Sequence, residues 1–251
     1  MQLLKLGGSA ITKKSGYMQA DLAGISRLCK AVSQVWHKGC RDIILVHGAG
    51  SFGHAPVLKF GINDGVKSER HKLGVAITHA SCAYLSSLVV KELVASGVPA
   101  ISIPPAAIVS QNHKRIVKFN EKIVLYYLHS GIIPVLYGDM VPDVKLGSSV
   151  CSGDQIVAYL GKKSKRMVLA TNVDGIFADG KLVKKITRRN FQEIKKHLGA
   201  SGSPDVTGGM AGKIAELLSA KRPAYVVNAY KPERMQALLF GKKAVCTEIK
   251  F

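Results

Sequence analysis

Apolar residues along the chain fall into two kinds of run that alternate. Short, nearly unbroken runs at Leu3 to Leu6, Asp42 to Val46, Ala100 to Ile103, Ile132 to Tyr137, Arg166 to Ala170, Ala224 to Asn228 and Ala244 to Ile249 predict buried strands. Between them, Asp21 to His37 carries Leu22, Ile25, Leu28, Val32 and Val35 at helical spacing. Further helices are predicted over Ala76 to Ser96, Asn120 to His129, Asp154 to Leu160, Ala211 to Ala220, and from Pro232 to Gly241. Asp179-Gly180, between Ile176-Phe177-Ala178 and Lys181-Leu182-Val183, predicts a tight hairpin. Strands alternating with helices make this an α/β chain, with a mostly parallel sheet covered on both faces and ligands expected at the carboxyl ends of its strands.

Composition narrows the picture. With 251 residues, 47% hydrophobic and 21% charged, the chain is long enough to bury a full core as one domain, or as two closely joined lobes. Met1-Gln2-Leu3-Leu4-Lys5 runs at once into Gly7-Gly8, so no signal-peptide pattern develops. The longest apolar stretch, Ala76 to Ala95, contains His79, Lys91 and Glu92, which favours a packed helix over a membrane span. A soluble, cytoplasmic protein is expected. Its five cysteines, Cys29, Cys40, Cys82, Cys151 and Cys246, form no C-x-x-C pair and read as reduced thiols. The formal charge of +20 is spread along the chain without aromatic interleaving, so it points to a field that attracts small anions and away from nucleic acid.

Three glycine loops carry the chemistry. Lys5-Leu6-Gly7-Gly8-Ser9 ends the first strand, and His47-Gly48-Ala49-Gly50-Ser51-Phe52-Gly53-His54 ends the next; Asp205-Val206-Thr207-Gly208-Gly209-Met210 opens a helix. Glycine lets backbone N–H groups converge on an anion, and a helix N-terminus adds its dipole. Two cradles at two strand ends suit an enzyme that holds a donor and an acceptor phosphate together. Gly48 to Gly53 formally matches G-x-G-x-x-G, but His54-Ala55-Pro56-Val57 and Gly61 predict no helix opening there, which argues against a dinucleotide fold. No G-x-x-x-x-G-K-[ST] is present, so an ordinary P-loop enzyme is excluded.

The first two loops, Gly138-Asp139, Ser152-Gly153-Asp154, Thr171-Asn172-Val173-Asp174-Gly175, and Thr207-Gly208-Gly209-Met210 with Lys213 together resemble the amino acid kinase superfamily. The six elements stand in the family's order across nearly the whole chain. His54 and Lys14 make the resemblance closest to the isopentenyl phosphate kinases of that superfamily. It implies a three-layer sandwich, with an acceptor-binding lobe over about 1–165 and a nucleotide-binding lobe over about 166–251. The implied reaction moves the ATP γ-phosphoryl group to isopentenyl phosphate, with Mg2+ carried on ATP, in a homodimer paired through N-terminal lobe helices.

The resemblance also implies roles. Lys5 and Lys213 lie on the donor phosphates and Lys14 near the group in flight, with amides of Gly8 and Gly50 on its oxygens. Asp154 orients the lysines. Gly7, Ser9, Asp174, Asp179 and Gly208 lie along the nucleotide; His54, with the backbone of Ala49 and Gly153, holds the acceptor phosphate. An imidazole N–H suits that task, because an acceptor that already carries a phosphate requires a donor. Ala49 departs from the Gly-Gly-Gly of many members, which questions the loop conformation at a residue that cannot take positive φ without strain. Leu73, Ala76, Ile77, Ala80 and Tyr84, at helical spacing, are the expected apolar wall for an isoprenoid tail. No metal-binding cluster of carboxylates is evident. Kinases of the same fold acting on UMP, fosfomycin, carbamate or acetylglutamate remain alternatives, as does a non-catalytic nucleotide sensor.

Overall fold

The computed structural model describes residues 1–13, 16–198 and 209–251. An eight-stranded sheet runs through the molecule in the order Lys185–Ile186, Thr247–Ile249, Ala224–Asn228, Met167–Thr171, Gln2–Leu6, Ile43–His47, Ile133–Tyr137 and Ala100–Ser102. All neighbours are parallel except Ala224–Asn228 and Thr247–Ile249. Sheets of this kind are buried on both faces, which is why their strands read as unbroken apolar runs. Leu3, Ile44 and Val46 enter one core with Ile156, Leu160, Ile214 and Leu217; Leu4, Ile43 and Leu45 enter the other with Leu28, Val32, Leu85 and Val89. The two cores, one on each side of the sheet, make the expected three-layer sandwich.

Boundaries of three expected helices shift by one residue at one or both ends, at Leu22–His37, Glu121–His129 and Gly153–Gly161. The long helix starts earlier than expected, at Glu69, where Ser68 caps it by accepting from the His71 N–H. It buries Leu85, Val89 and Leu93 in the domain, as a packed helix should.

Two differences from the sequence reading bear on the site. The first is a helix at Ser51–Phe60, directly after Gly50, with Pro56 inside it. Pro56 lacks the N–H that would reach the Phe52 carbonyl, and Ser81 Oγ of the long helix donates to that carbonyl at 2.6 Å. The orphaned acceptor is thus satisfied by a tertiary contact that no local pattern announces. Gly61 ends this helix as a left-handed cap with φ 66°, a normal terminus.

The second is a four-stranded sheet in the order Arg115–Phe119, Val109–Asn112, Asp139–Asp143 and Gly147–Cys151. Its turn at His113 and Lys114 has positive φ at both residues, 48° and 63°. Asp143 compensates: it accepts from the His113, Lys114, Lys145 and Leu146 N–H groups and from Ser149 Oγ at 2.7–3.1 Å. Burial works to raise this carboxyl, but the hydrogen bonds outweigh it and hold it at about 2.

Since the unfolded carboxyl titrates near about 4, Asp143 stabilises the fold fully above that pH and loses its contribution as pH falls toward about 2. Asp143→Asn is expected to lower the thermal midpoint at neutral pH and to flatten its fall between pH 4 and 2. Melting curves across that range check this; an unchanged acid dependence would count against it.

Candidate active site

Four neighbouring parallel strands, Met167–Thr171, Gln2–Leu6, Ile43–His47 and Ile133–Tyr137, end together, and the loops that leave them wall one cavity of about 450 Å³. This is the carboxyl edge where ligands of open α/β sheets bind. Strand alternation turns Lys5 to the same side as Leu3, toward the helix Gly153–Gly161. There Lys5 Nζ meets Asp154 Oδ1 at 2.6 Å, with Lys5 only 6% exposed. Burial works to raise the Asp154 carboxyl, yet the ammonium groups of Lys5 and Lys213 hold it below the usual carboxylate range. Ser152 and Gln155 form a capping box at this helix start, which fixes the backbone carrying Asp154.

The two glycine loops touch backbone to backbone. A Cβ on Gly8 would stand 2.5 Å from the Gly50 nitrogen, and one on Gly48 2.6 Å from the Gly8 nitrogen. Gly50 carries the strained turn, with φ 52°, and a side chain there would run into Thr12 Oγ1 at 2.1 Å. Ala49 is not among the positive-φ residues, so its methyl group is tolerated and the departure from Gly-Gly-Gly leaves the loop intact. Thr12 ties the pieces together: its Oγ1 donates to the Gly8 carbonyl at 2.9 Å and accepts from the Ser51 N–H at 3.2 Å.

Ten residues singled out from the sequence meet in this cavity: Lys5, Gly7, Gly8, Ser9, Ala49, Gly50, His54, Gly153, Asp154 and Lys213. His54 sits in the first turn of Ser51–Phe60, where the positive end of the helix dipole also faces the cavity. Lys14 and Gly208 lie outside the described residues. Asp174 and Asp179 do not line the cavity. Asp174 is held by Arg234 Nη1 at 2.6 Å and Asn228 Nδ2 at 3.0 Å. Asp179 takes φ 47° in the hairpin turn and pairs with His197 at 2.7 Å.

The apolar stripe expected to wall the cavity does not. Leu73 and Tyr84 are 57% and 59% exposed, because the long helix turns that face outward. Its opposite face supplies Thr78 and Cys82, which line the cavity with Val57, Leu58, Met140 and Val150. Periodicity gave the stripe, but only packing decides which side of a helix meets the core. Asn172, Thr12 and Asp139 also line the cavity and were missed. Asn172 stands inside the Thr171-Asn172-Val173-Asp174-Gly175 loop, where it accepts from Ser9 Oγ at 3.3 Å.

A cavity at the carboxyl edge of a parallel sheet, walled by two glycine loops and holding a Lys5–Asp154 pair with Lys213 beside it, has the make-up of a small-molecule kinase site. The chain belongs to the amino acid kinase family, whose model matches residues 1–228. Isopentenyl phosphate kinases are among its relatives in that family. The enzyme of Methanothermobacter thermautotrophicus is 33% identical over 99% of this chain and 98% of its own, and that of Methanocaldococcus jannaschii 32% over 100% and 99%. A crystal structure of an isopentenyl phosphate kinase superposes over the full length of both chains with a TM-score of 0.85 and 30% identity.

Lys5→Ala and Lys213→Ala are each expected to lower kcat by about 10² or more without unfolding the protein, since each removes a positive charge from the cavity in which a phosphoryl group would be transferred. Steady-state kinetics beside circular dichroism check this. A folded variant with near-normal kcat removes that lysine from the chemistry.

Proposed function

We propose that the protein phosphorylates isopentenyl phosphate with ATP, giving isopentenyl diphosphate and ADP in isoprenoid biosynthesis. The observation that carries this reading is one cavity lined both by the Lys5–Asp154 pair, Lys213 and His54 and by the mutually packed Val57, Met140 and Val150. A phosphate monoester with a short branched hydrocarbon tail matches both sets of residues. The relatives carry the same activity in their names.

Phosphoryl transfer asks a protein mainly for positioning and charge. In this reading Lys5 and Lys213 hold the donor phosphates, Lys14 stands near the transferred group, and Asp154 keeps the lysines in place. Gly7, Gly8, Ser9 and Gly50 offer N–H groups to phosphate oxygens, while Asp174, Asp179 and Gly208 border the nucleotide. His54 donates an imidazole N–H to the acceptor phosphate, which the backbone of Ala49 and Gly153 completes. Mg2+ neutralises phosphate charge and comes with ATP. It would be held mainly by the phosphates of ATP and by water. The N-terminal lobe takes the acceptor and the C-terminal lobe the nucleotide. The outward face of the long helix, with Leu73 and Tyr84, is the surface through which a homodimer forms, and the protein works in the cytoplasm.

A coupled ADP-release assay across isopentenyl phosphate, dimethylallyl phosphate, UMP, fosfomycin, carbamate and N-acetylglutamate tests the assignment. Isopentenyl phosphate is expected to give the highest kcat/KM; faster turnover of UMP would overturn the reading. His54→Ala is expected to lose most activity with little change in thermal midpoint, while His54→Gln, whose amide still donates, recovers part of it. A drop in midpoint with equal losses for every acceptor would make His54 a packing residue instead.

A further inference from the structure

The hairpin of Val109–Asn112 and Arg115–Phe119 reaches the charged centre of the cavity by two separate polar routes. The first is buried. Gln111 is fully enclosed: its Oε1 accepts from Ser149 Oγ at 2.6 Å, and its Nε2 donates to Gln155 Oε1 at 3.0 Å and to the Lys114 carbonyl at 3.2 Å. Gln155 Nε2 donates to the same carbonyl at 2.7 Å, and Gln155 Oε1 accepts from the Ser152 N–H at 3.2 Å. Both carboxamides thus grip the helix start that carries Asp154. The anchor behind them is Asp143, which fixes the turn at His113 and Lys114 and shares Ser149 with Gln111.

The second route crosses the surface. Arg115 Nη1 pairs with Glu216 Oε1 on the helix Gly209–Ser219, three residues after Lys213 and on the same helix face. Between the routes lies a side cavity of about 240 Å³ bounded by Lys114, Arg115, Gln155, Lys213, Glu216 and Asp154. The helices that carry Asp154 and Lys213, whose charges act on each other, are therefore both contacted by the same hairpin.

We propose that this hairpin is a positioning element for the donor phosphates. Gln111 sets Asp154 through Gln155, and Arg115 sets Lys213 through Glu216, so the spacing of the two charges is fixed by one rigid turn. The proposal rests on the reading that Asp154 and Lys213 serve the donor side. No hairpin side chain is required to touch a substrate. An exposed ion pair contributes little to stability, so a role confined to folding would show in melting curves and leave kinetics alone.

The test uses the full-length chain. Affinity for a non-hydrolysable ATP analogue is measured calorimetrically without any acceptor for wild type, Arg115→Ala, Glu216→Ala, the double variant and Arg115→Lys, beside a melting curve for each. Arg115→Ala and Glu216→Ala are each expected to weaken nucleotide binding about fivefold, and the double variant to be no weaker than either, as for residues acting through one contact. Arg115→Lys is expected to recover part of the loss. Gln111→Leu, of similar volume, is expected to lower kcat with ATP and isopentenyl phosphate about tenfold while the acceptor KM stays within about twofold, because a misplaced charge costs rate more than acceptor binding. Should Gln111→Leu not fold, the ion-pair cycle alone decides. Wild-type affinity in the folded single variants, or additive losses in the double variant, would overturn the proposal. Because the affinity measurement contains no acceptor, it separates this outcome from failure of isopentenyl phosphate as substrate, which would appear only in turnover by the wild type.

Discussion

The pairing of Lys5 with Asp154 is the constraint around which the site is built. An ammonium group on the central strand of a sheet covered on both faces is costly to bury, and it is stable there only with a carboxylate in hydrogen-bond contact. Asp154 supplies that carboxylate from the first turn of a helix, where the dipole favours negative charge. Strand alternation aims Lys5, and the capping box aims Asp154, so the pair ties sheet to helix at the cavity floor. Lys213 adds a second positive charge and leaves Asp154 ionised. The result is a centre with more positive than negative charge, fixed before any phosphate arrives, which is the preorganisation that phosphoryl transfer needs.

Backbone packing between the two glycine loops does the second part of the work. With Gly8 and Gly50 in direct contact, no side chain can stand between the N–H groups of the first loop and those of the second. The two loops are thereby held at a spacing that is a property of the main chain. Ala49 fits because the unusual φ falls on Gly50 instead, and its methyl group fills space beside Gly53.

Much of this was legible in the sequence because it depends on local chemistry. The buried strands announce themselves as apolar runs, the loops as glycine clusters at strand ends, and Lys5 as a charge placed just before such a loop. What the sequence hid was set by contacts between distant segments. The helix Ser51–Phe60 survives Pro56 because Ser81 takes over the Phe52 carbonyl. The second sheet is built from short strands interrupted by charge and by Pro142, held by Asp143 across a turn of unfavourable φ. The stripe of Leu73 and Tyr84 has the period of a buried face yet points outward, since period alone does not choose a side. The partners of Asp174 and Asp179, Arg234 and His197, come from segments that no local pattern connects to them.

The excess of positive charge acquires a physical reason from the proposed reaction. Bringing an acceptor phosphate against the terminal phosphate of ATP sets like charges about 4 Å apart, and each unit pair at that distance costs about 4 kcal/mol in a partly shielded site. Backbone N–H groups alone carry only partial charges and offset a fraction of this. Full cations must make up the rest, and they have to be held where neither phosphate can pull them out of line. Lys5 is held by Asp154 and by its strand, and Lys213 by its helix, while the remaining lysines act from the surface at a range limited by salt to about 8 Å. Surface charge can therefore gather anions toward the cavity, whereas in the proposed reading the repulsion between the two phosphates is relieved by Lys5, Lys213 and the Mg2+ that comes with ATP.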